Sequence, residues 1–175
     1  INNYFLSSAK KKNKDIKTIC LGNIYVGGTG KTPLTIKLNK ILEELGFKTA
    51  TIKKFYKEQS DEQILLNDKT KLYCKKDRLE ALNEAINDNI DIAIFDDGLQ
   101  ERFLGYDLSC VCFNNDTWIG NGQLIPSGPL REDLKSILKY DVIFLNGNNE
   151  DNLEIKESIK KISDEIIIFD TYYKP

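Results

Sequence analysis

The hydrophobic positions of this chain fall into short apolar runs that are separated by longer charged segments. The runs are four to six residues long and rich in β-branched side chains, which is typical of buried strands. Between the first two runs, apolar residues recur at helical spacing from Leu34 to Leu45. This alternation predicts an α/β fold, with a mostly parallel sheet and helices on both faces. The predicted strands lie at residues 17–21, 47–52, 90–95, 108–113, 142–145 and 166–169.

A glycine-rich turn lies between the first predicted strand and the first predicted helix, and it ends in Lys-Thr. In such a turn, backbone N–H groups and the helix N-terminus bind phosphate oxygens, the lysine contacts the outer phosphates and the threonine hydroxyl contacts Mg²⁺. The common pattern has glycine where this chain has Tyr25, and the alternative is an ordinary glycine-rich helix cap. We predict a P-loop NTPase type of fold that binds ATP or GTP. The predicted nucleotide-binding residues are Tyr25, Val26, Gly27, Gly28, Thr29, Gly30, Lys31 and Thr32.

Two carboxylates and a glycine follow the apolar run at residues 90–95. Asp96 and Asp97 would therefore lie at the carboxyl end of a parallel strand, where such sheets bind their ligands. Beside a phosphate loop, an acidic residue in this position holds Mg²⁺ directly or through water. We predict a metal site formed by Thr32, Asp96 and Asp97, and the alternative is a structural turn with a helix cap.

A loop rich in glycine and proline spans residues 120–131. Loops of this length in compact domains are usually functional, and the planar guanidinium group of Arg131 suits a phosphate. The alternative is a rigid connector that leads into a helix. Pro129, Glu132 and Asp133 satisfy the usual rules for the first turn of a helix that starts near Pro129.

Length and charge narrow the functional class. The chain has 175 residues, which suits one domain, and its net charge of -2 argues against a nucleic-acid-binding protein. Lysines nevertheless crowd residues 10–17, behind Tyr4, Phe5 and Leu6. This pattern suits either an anionic membrane surface or a solvated basic tail.

The cysteines and the lack of histidine bear on metal binding and on the redox compartment. No pair has zinc-ligand spacing and no histidine completes a zinc site, so we expect reduced cysteines in a cytoplasmic protein. No apolar run is long enough to form a transmembrane helix. The four cysteines are Cys20, Cys74, Cys110 and Cys112.

Three motifs in the same order resemble those of the tetraacyldisaccharide 4'-kinase family of lipid A biosynthesis. They lie at residues 22–33, 96–100 and 120–131, and the resemblance extends from about Lys17 to the end of the chain. It implies transfer of the γ-phosphate of ATP, with Mg²⁺, to the 4'-hydroxyl of a lipid A disaccharide-1-phosphate. It also implies that the enzyme acts at the cytoplasmic face of the bacterial inner membrane as a peripheral protein. The implied partners are the lipid precursor and the membrane surface, with no nucleic acid and no protein partner.

The resemblance implies roles for further residues. Ser60, Asp61 and Glu62 resemble a Gly-Asp-Glu motif of the family, which makes Asp61, with Lys31, a candidate catalytic residue. Residues 76–78 resemble an Arg-Asp-Arg element, so Arg78 is a candidate contact for substrate or phosphate. Without the family, Asp61 and Arg78 would be interpreted as a helix cap and a surface ion pair. The other candidate substrate contacts are Gln100 and Arg131.

The chain also departs from the family pattern. A Ser-Arg-Gly-Tyr-Gly segment is reduced to residues 53–57, and Glu101 replaces a histidine. We expect a basic segment at residues 1–16, which is a possible remnant of a membrane-associating region, and a P-loop kinase core at residues 17–175. The family's second domain, which would supply a histidine partner for the catalytic aspartate, is expected to be absent. The alternatives to an active kinase are a nucleotide-dependent switch or assembly protein and an inactive relative of the kinase.

Overall fold

A seven-stranded parallel sheet forms the centre of the computed structural model, which describes residues 11–13, 15–101, 103–147 and 152–172. In chain order its strands are β1 (Lys17–Gly22), β2 (Thr49–Lys54), β3 (Leu72–Lys75), β4 (Ile92–Asp96), β5 (Leu108–Asn114), β6 (Val142–Asn146) and β7 (Ile167–Thr171). Across the sheet the strand order is β3-β2-β4-β1-β5-β6-β7, with every neighbouring pair parallel.

Helices cover both faces of this sheet, so the predicted fold class is confirmed. The α-helices are α1 (Lys31–Glu44), α2 (Ser60–Lys69), α3 (Arg78–Asn87) and α4 (Leu153–Lys160). Short 3₁₀ helices span Lys57–Gln59 and Leu134–Lys139. Beside the main sheet, the two-residue strands Lys11–Lys12 and Leu104–Gly105 pair in parallel.

The two faces of the sheet are defined by the alternation of side chains along each strand. On β2, Thr51 contacts α1 through a hydrogen bond from Asn39, and we name this side the α1 face. Ala50 and Ile52 point to the other side and share a core cluster with Ala81 of α3, so we name that side the α3 face.

The main sheet contains one strand that the sequence did not predict, and one helix start that the sequence allowed is absent. All six predicted strands are present, but β3 was not predicted because it has only four residues, of which only Tyr73 is buried. A helix start near Pro129, which belonged to the alternative interpretation of the 120–131 loop, is not observed. The Val26 N–H donates to the Pro129 carbonyl at 2.8 Å and the Arg131 N–H donates to the Ile24 carbonyl at 2.7 Å, so this segment is extended and the 3₁₀ helix begins only at Leu134.

Helix α1 occurs where its leucines predict it, but its most deeply buried residues are polar. Thr32, Thr35 and Asn39 are buried, while Leu45 at the end of the predicted repeat is 68% exposed. The Asn39 amide group donates hydrogen bonds to the Thr51 hydroxyl and to the Thr35 carbonyl, both at 2.9 Å. These bonds satisfy polar groups that would otherwise be costly to bury.

The predicted basic segment at residues 1–16 lies largely outside the described residues, including the aromatic residues at positions 4 and 5. In its described part, Ile16 is 3% exposed and packs in the core cluster of the α3 face. No helix in the described part of the chain is both long and apolar enough to cross a membrane. The four cysteines are free thiols.

Candidate active site

The phosphate loop joins β1 to α1 at the carboxyl end of the sheet. Gly30 has a φ of 75°, and a Cβ atom added there would lie 1.5 Å from Asn146 Nδ2, so a side chain there would strain the backbone and displace the Asn146 amide. The Asn146 amide donates to the Thr29 carbonyl at 3.4 Å, and the Asn23 amide donates to the Thr29 hydroxyl at 3.3 Å. Two asparagines therefore hold the loop, and no side chain caps the N-terminus of α1. The first N–H groups of α1 remain available to an anion.

The glycine- and proline-rich loop lies directly against the phosphate loop. In addition to the two backbone hydrogen bonds described above, Tyr25 forms an antiparallel bridge with Leu130. The Tyr25 ring also approaches the position that a Gly27 Cβ would occupy, at 3.2 Å. The sequence predicted these two motifs separately, and the fold joins them into one unit that carries Arg131.

Asp97 lies between two cationic side chains. Arg131 Nη1 is 3.3 Å from both carboxylate oxygens of Asp97, and Lys31 Nζ is 3.9 Å from Oδ1. The backbone of Asp97 has a left-handed φ of 60°, and its carbonyl accepts a 2.6 Å hydrogen bond from Arg78 Nη2. Asp97 therefore connects the phosphate-loop lysine to both candidate substrate arginines.

Asp96 lies in a buried ion pair that the sequence did not predict. Lys53 Nζ is 2.6 Å from Asp96 Oδ2 and 2.8 Å from Glu62 Oε2, and the side chains of Lys53 and Asp96 are 3% and 1% exposed. Burial by itself lowers the pKa of Lys53, but the Coulombic attraction of Asp96 and the hydrogen bonds to both carboxylates outweigh this effect and raise it. A sequence signal for the burial of Lys53 was its alternation with Thr49 and Thr51, which places the three side chains on one face of β2. The prediction missed it because the predicted strand ended at residue 52.

Asp61 shares a cleft with the phosphate loop. It is an exposed residue in the first turn of α2, and it lines an open cleft of about 580 Å³ together with Gly27–Pro33 of the loop, Glu62, Leu65 and Asn146. Thr32 is 8% exposed at the start of α1 and lines the same cleft. The structure thus brings Asp61, Lys31 and Thr32 together.

A second cavity of about 340 Å³ brings the three candidate substrate residues together. It is lined by Tyr56, Arg78, Asp97, Gln100, Glu101, Phe103 and Arg131. A larger cavity of about 740 Å³ includes Gln100 but no other predicted site residue, so the size of a cavity does not locate the site.

Arg78 and Gln100 are held by other residues of this region. Arg78 is 5% exposed and its Nη1 lies 2.6 Å from Glu101 Oε1, so the interpretation of Arg78 as a surface ion pair is wrong. Glu101, which stands in place of the family's histidine, is therefore the partner of a buried arginine. Gln100 Nε2 donates to the Asn23 carbonyl and to Glu132 Oε1, both at 3.0 Å.

The residues around Asp96 fit a magnesium ion. Among the described residues, no group of three or more His, Cys, Asp or Glu side chains forms a metal site by itself. Mg²⁺ is commonly held by only one or two carboxylates together with substrate phosphates. Asp96 Oδ1 is buried and has no hydrogen-bond partner in the described part of the chain, so it is available as such a ligand.

Comparison with known proteins identifies the family. Residues 2–174 match the family described as Tetraacyldisaccharide-1-P 4'-kinase. A tetraacyldisaccharide 4'-kinase of Pelagibacter ubique (strain HTCC1062) is 52% identical over 169 residues, which are 97% of this chain and 54% of the relative. One from Shewanella sediminis (strain HAW-EB3) is 32% identical over 79% of this chain and 47% of the relative. The chain therefore spans about half the length of these curated relatives.

Solved structures agree on the fold. LpxK from Aquifex aeolicus in complex with ATP has a TM-score of 0.67 at 19% identity, with 93% of this chain and 72% of that chain covered. The signal recognition particle receptor FtsY from Elizabethkingia anophelis has a TM-score of 0.65 at 10% identity, with 97% and 63% covered. At these identities the likeness shows only the P-loop fold. The match over residues 2–174, with the relatives above, shows that the chain belongs to the tetraacyldisaccharide 4'-kinase family.

Proposed function

We propose that this chain transfers the γ-phosphate of ATP to the 4'-hydroxyl of a lipid A disaccharide-1-phosphate. The observation that carries this proposal is the shared cleft of the phosphate loop and Asp61. Phosphoryl transfer requires mainly positioning and charge neutralisation, and the cleft offers a cradle for phosphates opposite a carboxylate that can orient a hydroxyl. Family membership supports the same reaction.

On this proposal, the phosphate loop and Lys31 position the phosphoryl group. The loop amides and the uncapped start of α1 bind phosphate oxygens, and the Lys31 ammonium offsets their charge. Thr32 and Asp96 Oδ1 hold Mg²⁺, which supplies further charge neutralisation when it is bound. Asp97 is assigned to Lys31 and Arg131, because both of its oxygens face those cations.

Asp61 orients the acceptor hydroxyl and accepts its proton. The second cavity would hold the anionic part of the sugar substrate, because Arg78 and Arg131 contribute cationic groups and Gln100 contributes an amide. Arg78 acts in part through Asp97, whose carbonyl it holds. A lipid acceptor implies action at the cytoplasmic face of the inner membrane, and the lysines of residues 10–17 suit an anionic surface.

The test is transfer of labelled γ-phosphate from ATP to a lipid A disaccharide-1-phosphate in detergent. We expect Lys31→Ala to lower the rate by roughly 10²–10³-fold and Asp61→Asn to lower it by roughly 10²–10⁴-fold. Asp61→Asn should retain the binding of a fluorescent ATP analogue. Lys37→Ala, which removes an exposed lysine from the same helix as Lys31, is the matched control and should change neither quantity.

The absence of transfer by the wild-type chain, with ATP analogue still bound, would contradict the proposal. The nucleotide site would then serve a switch or an inactive relative of the kinase. Transfer that persists in Lys31→Ala would instead show that the phosphate loop is not the catalytic nucleotide site.

A further inference from the structure

Lys53 joins the central sheet to the helix that carries Asp61. In the pairing of β2 with β4, Lys53 and Asp96 are direct partners, so their side chains emerge side by side on the α1 face. The ammonium group of Lys53 contacts Asp96 at 2.6 Å and extends to Glu62 in the first turn of α2 at 2.8 Å. One buried cation therefore bridges carboxylates from two different elements.

Helix α2 buries little at this end of the fold. Leu66 is its only buried residue, while Ile64 and Leu65 are 67% and 42% exposed. Its N-cap residue, Gln59, makes no side-chain hydrogen bond to the helix.

Polar contacts hold the first turn of α2. Gln63 Nε2 donates to the Tyr56 carbonyl at 2.5 Å, and the Cys74 thiol of β3 donates to Gln63 Oε1 at 3.1 Å. Among the described residues, the Lys53–Glu62 ion pair is the only salt bridge that joins α2 to another element. Lys53 therefore supplies the charged contact between this turn and the central sheet.

The charges of this cluster explain why a lysine suits the position. Two carboxylates, Asp96 and Glu62, repel each other, and burial raises the pKa of Asp96, so a single cation between them offsets part of the repulsion and part of the cost of burial. Lys53 uses Asp96 Oδ2 and leaves Oδ1 without a partner in the described part of the chain. The ion pair therefore fixes the Asp96 carboxylate without blocking its second oxygen.

We propose that Lys53 is a positioning residue, which holds Asp96 and the first turn of α2 in register so that Asp61 faces the phosphate loop. The proposal rests on the proposed function, because it assigns to Asp61 and Asp96 the roles given above. Lys53 itself lines neither of the two cavities of the site. Its effect on transfer must act through Glu62 and Asp96.

The test compares Lys53→Met with Lys75→Met. Lys75 of β3 also pairs with a helix glutamate, Glu84 of α3, at 2.6 Å, but this ion pair lies away from both site cavities. We expect Lys53→Met to lower kcat for transfer by about 100-fold, the scale of a small misplacement of reacting groups. KM for ATP should change by less than about threefold. Lys75→Met should change neither constant.

Hydrogen–deuterium exchange of the unliganded chain supplies a readout that does not depend on activity. Lys53→Met should accelerate exchange of the amides at residues 60–66, whereas Lys75→Met should leave them at the wild-type rate. If the wild-type chain transfers no phosphate, the proposed function fails, but the exchange experiment still tests whether Lys53 positions α2.

Glu62→Gln is a second variant that breaks the same ion pair, and it tests the proposal if Lys53→Met does not fold. Glu62 is 51% exposed, and its replacement leaves the buried Lys53–Asp96 pair intact. This variant should show the same faster exchange at residues 60–66, and exchange is its deciding readout because Glu62 itself lines the cleft. Wild-type exchange at these residues in both Lys53→Met and Glu62→Gln would overturn the proposal, as would an unchanged kcat in a folded Lys53→Met chain.

Discussion

The two faces of the central sheet differ in what they bury. On the α3 face, β4 contributes Ala93 and Phe95 to a core cluster that contains Leu82 of α3. On the α1 face, the same sheet buries a second apolar cluster, which packs against leucines of α1, and in addition it buries Lys53 and Asp96. Both faces are therefore largely apolar, and the α1 face differs from the α3 face by its buried ion pair.

We interpret this difference as a division between apolar groups that stabilise the fold and charged groups that position the candidate site. An apolar face needs the right volume, since the hydrophobic effect has no direction. A buried ion pair needs its partners at hydrogen-bond distance, so it favours one arrangement. The polar groups of the α1 face lead to the carboxyl end of the sheet, where the candidate site requires a defined geometry.

The largest effect on stability is expected from a change on the α3 face. Phe95→Ala removes a fully buried ring that packs 5.0 Å from the Tyr106 ring, measured between centroids. We expect the free energy of unfolding to fall by about 3–5 kcal/mol, as measured by urea denaturation. The folded fraction should bind an ATP analogue with wild-type affinity. A weakened affinity at low urea would show that the two faces are not separable.

Gly30→Ala should weaken nucleotide binding at the phosphate loop. The new methyl group would overlap Asn146, and the left-handed backbone adds strain. We expect a loss of about 2–3 kcal/mol in binding free energy, roughly 30- to 150-fold in Kd for an ATP analogue. Gly46→Ala is the matched control, because Gly46 also has a left-handed φ, of 91°, but has open space around its Cβ position. Equal losses of affinity in both variants would contradict this explanation.

The buried hydrogen bond between Asn39 and Thr51 can be removed by replacing one partner or both, and the two changes should differ in their cost to stability. Asn39→Ala leaves the buried Thr51 hydroxyl without this donor, and we expect a loss of about 1–3 kcal/mol in unfolding free energy. The double change Asn39→Leu with Thr51→Val removes both partners and should be closer to wild type. Additive losses in a double-mutant cycle would show that the two side chains are not coupled.

The smallest effect concerns a charged group at the sheet edge. Burial by itself raises the pKa of Asp170 in β7, but its hydrogen bonds from Lys156 and Asn152 and the Lys156 charge outweigh this effect and lower it. A carboxylate with a lowered pKa stabilises the fold above its unfolded pKa of ~3.9, and this contribution is lost as the pH falls through its folded pKa.

Asp170→Asn should therefore lose less stability than wild type as the pH falls below about 4, with a difference under about 1 kcal/mol because the pair is partly exposed. Thermal unfolding from pH 6 to pH 2 measures this difference. Identical acid profiles for the two chains would contradict it.

Much of the fold was predictable because it depends on local patterns. Six of the seven strands of the main sheet, the first helix and the position of the phosphate loop follow from apolar runs and glycine spacing. The short edge strand β3 was missed because it carries too few apolar residues. The alternative interpretation of the 120–131 loop, with a helix start near Pro129, does not hold because two backbone hydrogen bonds join that segment to Ile24 and Val26 instead.

The sequence by itself determined the parallel α/β architecture, the phosphate loop and the acidic strand end, because each depends on the order of residues within one short segment. Only the tertiary structure decided which distant residues meet. The approach of Arg131 to Asp97, the burial of Arg78 beside Glu101 and the pairing of Lys53 with Asp96 all depend on strand register and loop contacts. Such contacts between segments far apart in the chain leave no periodic signal in it, since their partners are set by the packing of the whole sheet.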